Sequence, residues 1–296
     1  MIVLRHAILL GLLLSSICTL PGCAIRPYIF DNVADVLAKS GQSEEDDVIL
    51  AREASAFYLK LSESVLREAP GNLKLAESVA SGFTQYAYAF VSFEADQLQA
   101  KDAKGAQRMR ERAARLYARG HMHAMAALEK TTPGFKNALA QPKPRSTLSL
   151  TQAQVGVAYW AAAAWGGMIS MSKDDPEKVA DLPLAIDLAK LAWEKKPDHG
   201  NGGLSTLMGT FEAASPGGSL GAADKYFDLA IEQSKGQSAG PWVAKAESIA
   251  IAKADQKDFE KWLRQAIRIS DENRNLENEV MRARAVWLLD MMDDLF

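Results

Sequence analysis

Apolar residues recur at i, i+3, i+4 and i+7 through most of the chain, and no stretch sustains the alternation of a half-buried strand. The pattern predicts helices over residues 44–68, 72–100, 104–130, 150–172, 177–196, 203–214, 220–235, 241–254, 256–270 and 275–294. The breaks carry stop chemistry: Ala69-Pro70-Gly71, Thr132-Pro133-Gly134, Lys196-Pro197-Asp198, Ser215-Pro216-Gly217-Gly218 and Ala239-Gly240-Pro241. Ser43 reads as an N-cap ahead of Glu44-Glu45-Asp46, acids that suit the positive end of a helix dipole. Gln141-Pro142-Lys143-Pro144-Arg145 is the most linker-like stretch. It divides residues 43–296, read as one all-helical domain, into halves 43–140 and 147–296.

The second half repeats. Ala185, Ala189, Ala192 and Pro197 stand at relative positions 0, 4, 7 and 12. Ala223, Phe227 and Ala230 restart that spacing 38 residues later, and Phe259, Leu263 and Ala266 after a further 36. Ala113, Tyr117 and Gly120 fit it more loosely in the first half. Small residues at this spacing resemble the second helix of a tetratricopeptide (TPR) unit, where they let paired helices approach. The expected fold class is therefore all-α: a TPR-like array of antiparallel helix pairs, an α-solenoid or bundle with degenerate repeats.

One helix stands apart. Residues 146–172 carry no charge, and Val155 to Met171 reads VGVAYWAAAAWGGMISM. Its length suits a membrane span, but its Ala and Gly content and the Gln152 and Gln154 before it suit an enclosed central helix. Tyr159, Trp160 and Trp165 are its large residues. They either fill the core or line an internal apolar channel.

The first residues give an address. Met1–Arg5 carries one positive side chain, Ala7–Leu20 is a 14-residue uncharged Leu-rich stretch, and Leu20-Pro21-Gly22-Cys23 follows. A small residue before the scissile bond and a thiol after it form a bacterial lipobox, so residues 1–22 read as a lipoprotein signal peptide. Cys23 is the expected lipidation site and 23–42 the tether. Ala24 at the next position points to the outer membrane, with the body facing the periplasm and the membrane reached through the lipid anchor only. Cys18 falls in the removed segment, so no thiol remains for catalysis, zinc or disulfides.

Composition narrows the function further. In 296 residues, 34 Lys and Arg face 37 Asp and Glu, a net charge of −3. That offers no electrostatic footprint for nucleic acid. No HExxH, Walker A or dinucleotide fingerprint is present, and no cofactor is expected. Gly217-Gly218-Ser219-Leu220-Gly221 matches GxSxG but lacks the strand that a nucleophile elbow needs, so Ser219 reads as an N-cap. His121 and His123 lie two apart on one helix and face different ways, which argues against a shared metal. His199 falls in the Pro197-Asp198-His199-Gly200 turn and reads as turn chemistry. No catalytic residue and no metal site are expected.

Several segments taken in order resemble one family. They are Gly82-Phe83-Thr84-Gln85-Tyr86-Ala87-Tyr88-Ala89-Phe90, Arg112–Gly120, Tyr159-Trp160 with Trp165-Gly166, and His199-Gly200. Pro216-Gly217-Gly218-Ser219, Ala246-Glu247, Asn278, Arg282-Ala283-Arg284-Ala285 and Trp287-Leu288-Leu289 complete the series. Together they resemble the T-component lipoproteins associated with TRAP transporters, the TatT family. The resemblance implies an all-helical homotrimer whose protomers each hold an apolar channel. It also implies a hydrophobic small-molecule ligand and a periplasmic TRAP-type substrate-binding protein as partner. Candidate lining residues are Tyr86, Tyr88, Tyr159, Trp160, Trp165 and Phe211. The competing expectation is a TPR scaffold that joins envelope proteins and takes no small ligand.

Overall fold

The computed structural model describes residues 33–34, 36–38, 45–141 and 147–296. The expected signal peptide, Cys23, most of the expected tether and residues 142–146 lie outside the described residues. Described residues form helices and no strand.

Helix α1 (Val48–Glu68) starts later than the sequence suggests. Asp47, not Ser43, is its cap, and the Asp47 carboxylate accepts from the N–H groups of Ile49 and Leu50 at 2.9 and 3.0 Å. Asn72 caps α2 (Leu73–Ala87), which passes through a π-helical segment, Tyr88–Ser92, into α3 (Phe93–Leu98). Then come α4 (Ala103–Thr131) and the short α5 (Phe135–Ala140), which the periodicity did not foretell. The uncharged segment becomes α6 (Val155–Ser170), entered through a 3-10 turn and a Thr151–Gln154 capping box.

The predicted helix over 177–196 divides into α7 (Pro176–Val179) and α8 (Leu182–Lys195). Pro183 has no N–H to continue a ladder and stands in the first turn of the second piece, where that loss costs nothing. Helices α9 (Gly203–Ala214) and α10 (Leu220–Gln233) follow. Ser219 Oγ accepts from Ala222 N–H at 3.2 Å, so the GxSxG match is a helix cap. Next, α11 (Gly240–Lys245) runs into a second π segment, Ala246–Ala250. The chain closes with α12 (Gln256–Glu272), α13 (Leu276–Asp290) and α14 (Met292–Leu295).

Helices near in sequence pack together along the chain: α1 on α2, α2 on α4, α4 on α6, α6 on α8, α9 on α10 and α12 on α13. The residues that carry the 0, 4, 7 spacing all face inward. Ala185, Ala189, Ala192, Ala223, Phe227, Ala230, Phe259, Leu263 and Ala266 have no solvent access. Gly120, in the looser copy, brings α4 close to α2: a Cβ there would stand 3.1 Å from the Ala80 carbonyl oxygen.

Helix α6 is the hub, touching α2, α4 and α8 at length and α9 more briefly. It is 16 residues long, and among the described residues no helix is long and apolar enough to cross a membrane. Its glycines seat aromatic rings directly on the backbone. A Cβ on Gly166 would lie 2.6 Å from Phe211 Cε1, and one on Gly167 would lie 2.6 Å from Tyr117 Cε1.

Candidate functional site

Most of α6 is buried, but one stripe is not. Tyr159, Trp160, Ala163, Gly166, Gly167, Met168 and Ser170 keep solvent access, while Val155 to Ala158, Ala161, Ala162, Ala164, Trp165 and Ile169 are buried. Tyr159, Ala163, Gly166 and Ser170 recur at helical spacing on one face, and Trp160, Gly167 and Met168 widen it. Tyr159 nonetheless lies deep: burial pushes its hydroxyl above the ordinary tyrosine range, helped by the charge of Glu277.

Tyr88 has the same character. It is half-buried, and burial pushes its hydroxyl up to about 12. It packs on the small cluster of Ala87, Val91, Ala113 and Tyr117, beside Met168 and Met171. Tyr86 packs on both this cluster and the main core, with its ring edge-on to Phe90 at 5.3 Å. Tyr159 and Trp160 pair at 4.7 Å. Trp165 and Phe211, by contrast, are 8% and 4% exposed and fill the main core. Trp165 packs on His121 at 4.4 Å, and Phe211 covers Gly166. The six aromatic candidates thus divide into four that keep access and two that pack.

Beneath Tyr88 the two π segments converge on one side chain. Arg284 of α13 donates to Glu247, in the second π segment, through Nη2 at 2.6 Å and Nε at 3.1 Å. Its Nη1 reaches Asp96 of α3 at 3.2 Å. The guanidinium lies over the rings of Tyr88, Phe93 and Trp287 at 5.4, 5.5 and 5.8 Å. Burial opposes the Arg284 charge, and Tyr88, Glu247 and Asp96 together outweigh it. Each π segment adds a residue to a helical turn, which re-aims Tyr88 and Glu247 toward this point. With both carboxylates ionised, the group is one charge negative.

Two further clusters lie around the first half. Glu63 of α1 is 1% exposed and accepts from Lys60 Nζ at 2.7 Å, His123 Nε2 at 2.8 Å and Arg119 Nε at 2.5 Å, with Arg67 at 3.4 Å. Burial alone would raise its pKa; the bonds from Arg119, Lys60 and His123 reverse that and hold it at about 2. His121 instead puts Nδ1 3.1 Å from the Ala161 carbonyl, so the two histidines do face apart. The second cluster centres on Glu77 of α2. Its carboxylate lies over Gly156, where a Cβ would sit 2.1 Å away, and stands 3.7 Å from His199 Nε2. His199 packs edge-on to Tyr159 at 5.5 Å. His199 therefore reaches across the fold and is not confined to its own turn.

The charged members of these clusters were legible only as anomalies. Arg284 interrupts the buried series Val280, Arg284, Leu288, and Glu63 interrupts Leu59, Glu63, Leu66. A charge on an apolar i, i+4 stripe is the signal for a buried pair, but its partner is remote in sequence.

The family model described as TRAP transporter T-component matches residues 44–296. An uncharacterized protein of Treponema pallidum (strain Nichols) is 23% identical over 301 aligned positions, which cover 93% of this chain and 93% of that protein.

Proposed function

The chain belongs to the TRAP transporter T-component family, and from that premise we propose that it binds an apolar small molecule inside the helical array and docks a periplasmic substrate-binding protein. The observation that supports the ligand reading is the partly accessible face of α6 around Tyr159, Trp160 and Ala163, on a helix whose other side is enclosed. Tyr88 and Tyr86 belong to the same lining, with Trp160 at its edge. Trp165 and Phe211 act behind it, holding α6 in place. Such a site needs no chemistry: at about 25 cal/mol per Å², covering a few hundred Å² of apolar ligand suffices for useful affinity. Lipidation at Cys23, an outer-membrane anchor facing the periplasm and a homotrimeric assembly complete the proposal.

Ala163→Phe tests it. Ala163 keeps access, so a ring there projects into the space rather than into packed neighbours. Titration with the neutral apolar dye N-phenyl-1-naphthylamine should give saturable enhancement with the native chain. A163F should weaken it at least about tenfold, a loss of roughly 1.4 kcal/mol, with the unfolding temperature unchanged. Equal dye affinity in A163F, or a collapse of stability, would place Ala163 in packing and remove the lining.

The scaffold reading has one observation in its favour. Helix α1 leaves Ile49, Leu50, Phe57 and Leu61 exposed, an apolar face suited to another protein. A native chain that binds its partner but no dye would put that reading first.

A further inference from the structure

The turn before α9 is unusual. Gly200, Asn201 and Gly202 have φ of 67, 50 and 95°, three left-handed residues in succession. Left-handed backbone is uncommon outside Gly, least so for Asn, and three such residues in succession persist where their surroundings hold them. They do so here: a Cβ on Gly202 would lie 2.4 Å from the Ala230 carbonyl oxygen, and Gly203 N–H bonds the Gly200 carbonyl at 2.9 Å. The turn is thereby locked against α10, and it fixes His199 between Glu77 and the Tyr159 ring.

Glu77 is the group this arrangement leaves unused. Among the described residues no N–H or O–H bonds its carboxylate; His199 Nε2, at 3.7 Å, is beyond hydrogen-bond reach. About a third of the side chain remains open to solvent. We propose that Glu77, His199 and the Tyr159–Trp160 pair form the polar end of the ligand site and take an organic ammonium group. This rests on the interior-ligand reading above.

Charge and ring chemistry both select that class. A carboxylate without donors is completed by N–H groups of a cation, and a charge-assisted bond is stronger than a neutral one. Tyr and Trp faces attract cations through their quadrupoles. His199 is kept toward its neutral form, chiefly by burial and further by Lys196, so its ring offers a lone pair. Burial also raises the Glu77 pKa, with Lys196 only partly opposing, and a bound ammonium would restore the charged form.

An anionic head group fares worse. It would meet Glu77 at this end, and the charge of Glu277 also acts on Tyr159. The interior arginine offers it no alternative, because Arg284 already bonds Asp96 and Glu247. Among the described residues Lys196 is the cation acting on Glu77, and it makes no bond to it.

The test uses three probes that differ only in the head: hexylammonium, hexanol and hexanoate. Each is titrated calorimetrically at pH 7 into the full chain held in lipid nanodiscs, with empty discs as blank. Hexylammonium should bind about tenfold tighter than hexanol, and hexanoate weakest. Glu77→Gln, an isosteric change, should erase the amine's advantage over hexanol. His199→Asn should reduce that advantage by less. Hexanoate equal to or tighter than hexylammonium, or an amine advantage that survives E77Q, overturns the ammonium site while hexanol binding preserves the interior ligand. Failure of all three probes overturns both.

Discussion

Glu63 carries one negative charge among Lys60, Arg67, Arg119 and His123, so its loss strands several partners at once. Removing one member of a buried ion pair costs about 3–5 kcal/mol. Lys60 and Arg67 are more than half exposed and return to water easily. Glu63→Gln should therefore cost about 2 kcal/mol at pH 7, below that range. The folded pKa of about 2 lies below the ordinary 4.5. A depressed carboxylate contributes stability above its unfolded pKa and loses it as pH falls through the folded value. The stability gap between the native chain and E63Q, read from urea unfolding, should be flat from pH 7 to 5 and close below pH 4.5. A gap that held to pH 2.5 would mean the carboxylate is not the source. At this scale the sequence was informative about caps and silent about partners. Ser219 was legible because a cap is local. Asp47 was missed for Ser43 because several acceptors compete in Ser43-Glu44-Glu45-Asp46-Asp47, and only backbone geometry chooses among them.

At the scale of the element, α6 shows how composition turns into position. Its Ala and Gly residues exclude it from the surface, and its glycines admit rings that any side chain would displace. A helical Gly→Ala change normally gains about 0.5–1 kcal/mol from propensity. Gly167→Ala should reverse that sign, because the Tyr117 ring occupies the Cβ position and overpacking costs about 1–3 kcal/mol. Gly221→Ala, whose Cβ would meet only Ser219 Oγ at 3.7 Å, should be neutral or stabilising. Thermal unfolding of the two variants should move in opposite senses; equal shifts would deny that ring contact its role. The enclosed helix itself was readable from its lack of charge. The π segments were not, since an added residue in a turn is selected by what Tyr88 and Glu247 must reach.

At the scale of the whole molecule, Arg284 joins α3, both π segments and α13. Arg284→Lys keeps the charge but loses the planar fork and its stacking on three rings. It should lower stability by about 2 kcal/mol and release the Tyr88 ring, seen as loss of near-ultraviolet tyrosine dichroism with helix content intact. An unchanged spectrum would make Arg284 a local pair only. The all-helical array was legible because its apolar periodicity is local, and the residues spaced 0, 4, 7 are indeed buried. The division of the aromatic candidates was not, because Tyr159, which keeps access, and Trp165, which packs, share one helix and one sequence character. Only the neighbours α2, α4 and α9 decide which of them is covered. The most direct test of the whole account is native mass spectrometry of the chain purified from its own envelope, alone and with a TRAP-type substrate-binding protein. The account predicts an assembly of three chains that retains one small apolar molecule per chain and gains mass on adding the binding protein. A bare chain that retains nothing and takes up no binding protein would contradict it.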